Sequence, residues 1–106
     1  MFQLIFTPEA KVDVKNAAVY YNDQLQGLGK RFKNEVKRQL ALLKQNPFTR
    51  SVRYDNVSLA VIDKFPYSIH YTIDDKQVII HAIICDYRNP SQYRVKITPD
   101  SKFPKP

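Results

Sequence analysis

The residues best suited to chemistry lie near the end of the chain, where Asp86-Tyr87-Arg88-Asn89-Pro90 follows an apolar run. Arg88 carries a planar guanidinium that can bind a phosphate or a carboxylate through two parallel hydrogen bonds. Tyr87 and Tyr93 lie close to it in sequence and can shield such a pair from water. We therefore predict that these three residues belong to a surface that meets an anionic target. A purely structural salt bridge between Arg88 and Asp86 is the alternative.

The chain has two histidines, His70 and His81, on two apolar runs that flank a polar turn at residues 74–77. If the runs pair as a hairpin, residue 70 faces residue 81. Metal binding or acid–base catalysis would need further ligands or a nucleophile, and only Ser68 and Cys85 are near along the strands. Two partly exposed imidazoles without a catalytic role are the simpler interpretation. No spacing resembles a metal motif, so we expect no metal and no cofactor. The candidate catalytic residues on these two strands are therefore His70 and His81, and both are weak candidates.

A helical hairpin is predicted upstream of these strands. Residues 2–6 form a short strand with two apolar faces, which we expect at the centre of a sheet. Thr7-Pro8 is typical of a helix start, since threonine caps the helix and proline suits its first position. Gln26-Gly27-Leu28-Gly29 separates this helix from a second one that ends before Asn46-Pro47. Both helices carry an apolar face at helical period.

Strands are predicted at residues 50–54, 59–63, 67–73 and 78–84. One face of the last two should pack under the helices, with Tyr67, Ile69, Tyr71, Ile73, Val78, Ile80, Ala82 and Ile84. The other face should be uncovered and free for a partner, with Ser68, His70, Thr72, His81, Ile83 and Cys85. The order predicts an α+β fold, β-α-α-β-β-β(-β), with the helical hairpin on one face of a mainly antiparallel sheet. Residues 1–98 would form one domain and residues 99–106 a Pro/Lys-rich tail.

The charge balance favours an anionic partner, because 17 Lys and Arg outnumber 10 Asp and Glu, for a net charge of +7. Lys30, Lys37 and Lys44 recur every seven residues opposite the apolar stripe of the second helix, either as a solvated face or as an electrostatic guide. A single cysteine excludes an internal disulfide. No apolar run approaches the roughly 18–20 residues that span a bilayer, so we expect a cytoplasmic protein with no membrane partner.

Several short motifs follow one another in a recognisable order: T-P-E-A-x-x-D, G-L-G-K-R-F, N-P, K-F-P-Y-x-I-x-Y, V-I-I-H-A-I and R-N-P-x-x-Y. In this order they resemble the RelE/ParE superfamily of toxins from type II toxin–antitoxin pairs, and more closely the ParE-like branch of plasmid stabilisation proteins. The likeness covers residues 2–93. The matching residues are Pro8, Glu9, Ala10, Asp13, Tyr20, Tyr21, Gly27, Leu28, Gly29, Phe32, Asn46, Pro47, Phe65, Pro66, Tyr67, Tyr71, Ala82, Arg88, Pro90 and Tyr93.

The resemblance implies a bacterial toxin that inhibits an essential macromolecular process and is neutralised by a cognate antitoxin. ParE-type members bind DNA gyrase and trap its DNA breaks, so they need no catalytic residues. The family's ribosome-dependent ribonucleases instead carry lysines where this chain has Leu59 and Val61, and an arginine where it has Ser68. Only Arg88 and Tyr93 match that catalytic set. The resemblance therefore favours gyrase inhibition without catalysis.

Two alternatives remain: an endoribonuclease that cuts mRNA on the ribosome with a rearranged site, and a toxin-fold protein that has lost toxicity. The expected assemblies are a homodimer or a hetero-oligomer with the antitoxin. The residues predicted to bind target or antitoxin are Arg88, Tyr87, Tyr93, Ser68, His70, His81, Lys30, Lys37 and Lys44.

Overall fold

Two helices pack on one face of a five-stranded sheet in the computed structural model, which describes residues 1–87. The strands follow the order β1-β5-β4-β3-β2 and are antiparallel except for the parallel β1–β5 pair. The predicted α+β arrangement is confirmed. The elements are β1 (Gln3–Phe6), α1 (Pro8–Gln24), α2 (Leu28–Gln45), a 3-10 turn (Pro47–Thr49), β2 (Val52–Tyr54), β3 (Val57–Val61), β4 (Tyr67–Asp74) and β5 (Gln77–Cys85).

The helix ends follow the local sequence signals. The hydroxyl oxygen of Thr7 accepts a hydrogen bond from the amide of Ala10 at 3.1 Å, which caps α1. Gly27 adopts a φ of 90°, a left-handed conformation that few other residues tolerate, and this lets the chain turn into α2. Gly29 is required for another reason: a Cβ there would collide with the carbonyl oxygen of Ala18 on α1. The two helices can therefore approach closely at this end.

The main core lies between the helical hairpin and the sheet. Tyr71 is fully buried at its centre, and its hydroxyl donates a hydrogen bond to the carbonyl of Pro47 at 2.7 Å. The apolar stripe predicted for α2 is confirmed, with Phe32, Val36, Leu40 and Leu43 buried. The other buried members are Ala10, Ala17, Ala60, Ile62, Ile69, Val78, Ile80 and Ile83.

The central position predicted for β1 is wrong for the part of the sheet that residues 1–87 form: there the strand lies at an edge, parallel to β5. Its apolar character has a different cause, since Leu4 and Phe6 pack against the main core. The amide of Phe2, just before β1, also donates a hydrogen bond to the carbonyl of Lys44 at the end of α2, at 2.9 Å. The helical hairpin thus needs an apolar edge strand beneath it.

The hairpin of β4 and β5 contains a β-bulge that the sequence pattern does not predict. Tyr71 pairs with Ile80 as expected, but His70 pairs with Ala82, which leaves His81 as the extra residue. A shift of one residue exchanges the two faces of a strand. Ile83 therefore joins the main core, whereas Ala82 and Ile84 move to the opposite face. The faces predicted for β5 beyond residue 81 were wrong for this reason.

The side chains of Thr7, which caps α1, and of Asp13 on α1 bind the backbone at the bulge. β1 ends at Phe6, which pairs with Ile80, so the next part of β5 extends past its parallel neighbour. There the hydroxyl of Thr7 donates to the carbonyl of His81 at 3.1 Å, and a carboxylate oxygen of Asp13 accepts from the amide of Ile83 at 3.1 Å. These two bonds satisfy the carbonyl of His81 and the amide of Ile83, which lie beyond the residues of β5 that pair with β1.

Candidate functional site

The sheet face opposite the helices, called the second face below, holds a separate apolar cluster. Val57, Ala82 and Ile84 form it, and Tyr54 and Leu59 pack against it. The sequence predicted an uncovered face here, with Ser68 and His70 accessible. Both side chains are only 2% exposed, so this expectation was wrong.

A cavity of about 300 Å³ opens on the second face, and we call it the sheet pocket. It brings together residues from β2, β3, β4 and the end of β5. Two of the predicted site residues, Ser68 and His70, line it. The full lining is Arg53, Leu59, Val61, Ser68, His70, Cys85 and Asp86.

Arg53 reaches this pocket because the β2–β3 hairpin is also irregular. Asp55 and Asn56 both have positive φ, at 43° and 65°, as expected for the tight turn that joins Tyr54 to Val57. Val52 then pairs with Ser58, so Arg53 is an extra residue in the ladder. Bulges of this kind redirect a side chain. Here the redirected side chain is a guanidinium.

The hydroxyl of Ser68 donates a hydrogen bond to a carboxylate oxygen of Asp86, and both residues line the sheet pocket. This bond joins the start of β4 to the residue that follows β5. It also gives Asp86 a partner other than the one predicted from sequence, Arg88. Arg88 and Tyr93 lie outside the described residues.

The two histidines bind different partners and do not face each other as predicted. Nδ1 of His70 lies 3.0 Å from the hydroxyl of Tyr54, while Nε2 of His81 lies 2.7 Å from the hydroxyl of Thr72. Burial lowers the pKa of His70 to about 4, with smaller contributions from His81 and Arg53. His70 is therefore neutral at pH 7.

The sheet pocket combines one cation and one carboxylate with apolar walls. Arg53 and Asp86 are the charged residues among its described lining, and Leu59 and Val61 lie on the β3 side. A site that stabilises a phosphoryl transition state needs several convergent positive groups or donors.

The remaining predicted residues lie on other parts of the surface. Tyr87 is 84% exposed just after β5. Lys30, Lys37 and Lys44 are all exposed along α2, as the heptad spacing indicates.

A second concave surface lies beside α2 and is called the helix groove. Its floor is apolar, with Phe6, Val14, Val36 and Leu40, and its volume is about 400 Å³. Lys11, Lys33 and Lys37 border it. Of the three predicted lysines, only Lys37 belongs to this groove, so the structure separates it from Lys30 and Lys44.

The comparisons with known proteins agree with this architecture. Residues 4–90 match the family described as "ParE toxin of type II toxin-antitoxin system, parDE".

The chain belongs to the ParE toxin family.

A solved structure described as "Chromosomal ParDE TA system from P. aeruginosa" matches with a TM-score of 0.72 and 18% identity. The match covers 80% of this chain and 96% of that chain. At this identity the likeness shows the fold alone. A search of curated proteins found no match.

Membership of the ParE family makes the chain a type II toxin, a class whose partner is an antitoxin. Within residues 1–87, no group of His, Cys, Asp and Glu is arranged to hold a metal ion. Neither helix of that part is long and apolar enough to cross a membrane.

Sequence reasoning missed Arg53, Asp86, Lys11 and Lys33 as site residues. The sequence around Arg53 could not have revealed its role, because its position depends on a bulge. For Lys33 and Lys37 the sequence holds a weak indication of a shared surface: they are four residues apart on α2 and alternate with Val36 and Leu40.

Proposed function

We propose that this ParE-family toxin inhibits DNA gyrase by binding to it, without catalysis of its own. The observation that supports this most strongly is the composition of the sheet pocket. Leu59 and Val61 line it at the positions where the resemblance places the lysines of ribonucleases. Loss of one positioned donor costs a factor on the order of 10²–10³ in rate. An RNA-cleaving site would lack two such groups here.

The charge distribution supports binding to a complex that contains nucleic acid. Arg53 lies at the sheet pocket, and Lys30, Lys37 and Lys44 are exposed along α2. Positive surfaces of this kind raise the rate of association with polyanions. Gyrase engaged on DNA offers such a polyanion next to a protein surface, as does a ribosome, so charge alone does not choose between them.

The experiment that separates the targets uses the purified chain in two assays. It is added to gyrase with supercoiled and relaxed DNA, and to ribosomes translating a defined mRNA. We expect loss of supercoiling and accumulation of gyrase-bound DNA breaks, with intact mRNA. Cleaved mRNA and active gyrase would instead support the ribonuclease. No effect in either assay would support a fold that has lost toxicity.

We also propose that the antitoxin docks in the helix groove. The groove is lined by the half-buried Phe6 and Val14 and by the buried Val36 and Leu40, inside a rim of Lys11, Lys33 and Lys37. An amphipathic segment with apolar anchors and flanking acidic residues complements both features. Charge on the rim would speed its association and apolar contacts would hold it.

A matched pair of double variants tests the docking site. Lys33→Glu with Lys37→Glu alters the rim, whereas Lys30→Glu with Lys44→Glu makes the same charge change on the same helix away from the groove. The binding partner in this assay is the cognate antitoxin. Both pairs should slow association at low salt, but only the rim pair should raise the dissociation rate. Equal dissociation rates for the two pairs would place the antitoxin elsewhere.

A further inference from the structure

Four exposed lysines form a straight row along one side of α2, and we call them the lysine row: Lys30, Lys33, Lys37 and Lys44. Their steps of three, four and seven residues keep them on one side of a helix that has 3.6 residues per turn. At a rise of 1.5 Å per residue, the row extends about 21 Å. A helix presents these charges on a rigid support.

The one acidic residue of α2 does not neutralise the lysine row. Glu35 lies two residues from both Lys33 and Lys37, and residues at that spacing do not face each other on a helix. Its carboxylate lies 3.6 Å from the guanidinium of Arg38, which in turn lies 3.9 Å from a carboxylate oxygen of Asp63. Among the described residues, no ion pair engages the row itself. Its ammonium groups are therefore open to an anionic partner.

A lysine of α1 widens the positive surface. Lys11, Lys33 and Lys37 border the helix groove together, and the lining that residues 1–87 give this groove contains no acidic side chain. Cations from two helices thus converge on one concave surface. Such an arrangement raises the local positive potential and attracts polyanions.

We propose that the lysine row binds the phosphate backbone of duplex DNA without reading its base sequence. A duplex carries one negative charge for about every 1.7 Å of its axis, so a length of about 21 Å presents about 12 phosphates to the row. Lysine is a point charge without the planar fork of arginine, and contacts to phosphate carry no sequence information. A straight row on a rigid helix suits a polyanion whose charges follow a line better than the scattered carboxylates of an acidic protein.

The choice of DNA rather than RNA rests on the proposed inhibition of gyrase, because a toxin that holds DNA itself stays beside an enzyme engaged on that DNA. The two proposals nevertheless fail separately. A toxin that inhibits gyrase but does not bind free DNA contradicts only the role of the lysine row. A toxin that binds free DNA and leaves gyrase active contradicts only the proposed function.

Fluorescence anisotropy of a labelled DNA duplex tests the lysine row, with the full-length protein and without gyrase or antitoxin. Four phosphate contacts predict that affinity falls roughly 100-fold between about 50 and 200 mM salt. Lys30→Gln with Lys37→Gln removes two contacts, so the fall should be only about tenfold. Lys64→Gln with Lys76→Gln makes the same charge change at exposed positions outside the helices and should keep the larger fall. Two duplexes of unrelated sequence should bind equally.

A conservative variant and the melting temperature serve as controls. Lys30→Arg with Lys37→Arg keeps both charges and should bind DNA like the wild type. All the changed residues are exposed, so every variant should melt with the wild type.

Four results would overturn the proposal. The duplex could fail to bind at low salt, or the two glutamine pairs could show the same salt dependence, which would assign binding to net charge alone. Poly-glutamate could compete as well as unlabelled DNA at equal charge, which would indicate an acidic protein as the partner. A duplex RNA of the same sequence could bind more tightly than the DNA, which would assign the row to RNA.

Discussion

A carboxylate oxygen of Asp13 on α1 accepts a hydrogen bond from the amide of Ile83 on β5 at 3.1 Å, between residues 70 positions apart in the sequence. The contact is buried and lies beyond the end of β1. It links the first helix directly to the backbone of the last described strand.

We expect Asp13→Ala to lower the free energy of unfolding by about 1–3 kcal/mol, because the amide of Ile83 would lose its acceptor in a buried position. Asp13→Asn keeps an acceptor oxygen and should cost less. Asp23→Ala, an exposed change on the same helix, should stay within about 0.5 kcal/mol. Urea denaturation measures all three. Equal values for Asp13→Ala and Asp23→Ala would show that the contact contributes nothing.

Stability should decrease with acidification through the window set by His70. Burial lowers the pKa of His70 in the folded chain from 6.5 to about 4, with His81 and Arg53 adding to the effect. Between these values the unfolded chain binds more protons, so stability falls as pH drops from about 6.5 to about 4. The loss should be on the order of 3 kcal/mol. His70→Gln should flatten this dependence and His81→Gln should keep most of it. An unchanged pH profile for His70→Gln would assign the effect to other groups.

Gly29→Ala should destabilise the protein by about 1–3 kcal/mol or more, since the added Cβ would force α1 and α2 apart at the carbonyl of Ala18. Asn34→Ala, at an exposed position of the same helix, is the control. It should be neutral or slightly stabilising, because alanine favours helices. Thermal melting distinguishes the two. A Gly29→Ala variant that melts with the wild type would mean that the helices can move apart without cost.

The hydroxyl and the ring of Tyr71 should make separate contributions to the free energy of unfolding. Tyr71→Phe removes the hydrogen bond to the carbonyl of Pro47 and should cost about 1 kcal/mol. Tyr71→Ala also leaves a cavity in the main core and should cost about 3–5 kcal/mol, as for other buried aromatic residues. Denaturation curves of the two variants give the difference. If Tyr71→Phe were as damaging as Tyr71→Ala, the hydroxyl rather than the ring would dominate.

Arg53→Ala should reduce toxicity while the free energy of unfolding stays within about 1 kcal/mol, because the side chain is exposed at a bulge. Arg88→Ala is expected to behave in the same way, and Arg88→Lys to restore toxicity only in part, because lysine keeps the charge and loses the planar fork. Growth after induction is measured beside the melting temperature. If both alanine variants fold normally and remain fully toxic, the target-binding site is better sought on α2. If Arg88→Ala unfolds, that arginine is a structural bridge.

Local signals predicted the helical hairpin well and the details of the sheet less well. Thr7, Gly27 and Asn46 mark the helix ends because capping depends on residues within one turn. The bulge at His81 depends on groups supplied by Thr7 and Asp13, far away in sequence, so alternation within β5 could not reveal it. The predicted β5 residues of the main core included Ala82 and Ile84, whereas the structure places Ile83 there instead. The sheet pocket was predicted only in part, because Arg53 enters it through a second bulge.

The strand order has a consequence for synthesis of the toxin on the ribosome. β5 lies between β1 and β4, and its partner β1 is the first strand of the chain. The helical hairpin can form early, but β1 cannot join β3 and β4 in one sheet until residues 77–85 have left the exit tunnel. Contacts between such distant segments form late in folding. A nascent chain that stops before β5 therefore lacks the strand that joins β1 to the rest of the sheet, so interrupted translation should yield fragments that are open to proteolysis and unable to present the folded binding surfaces.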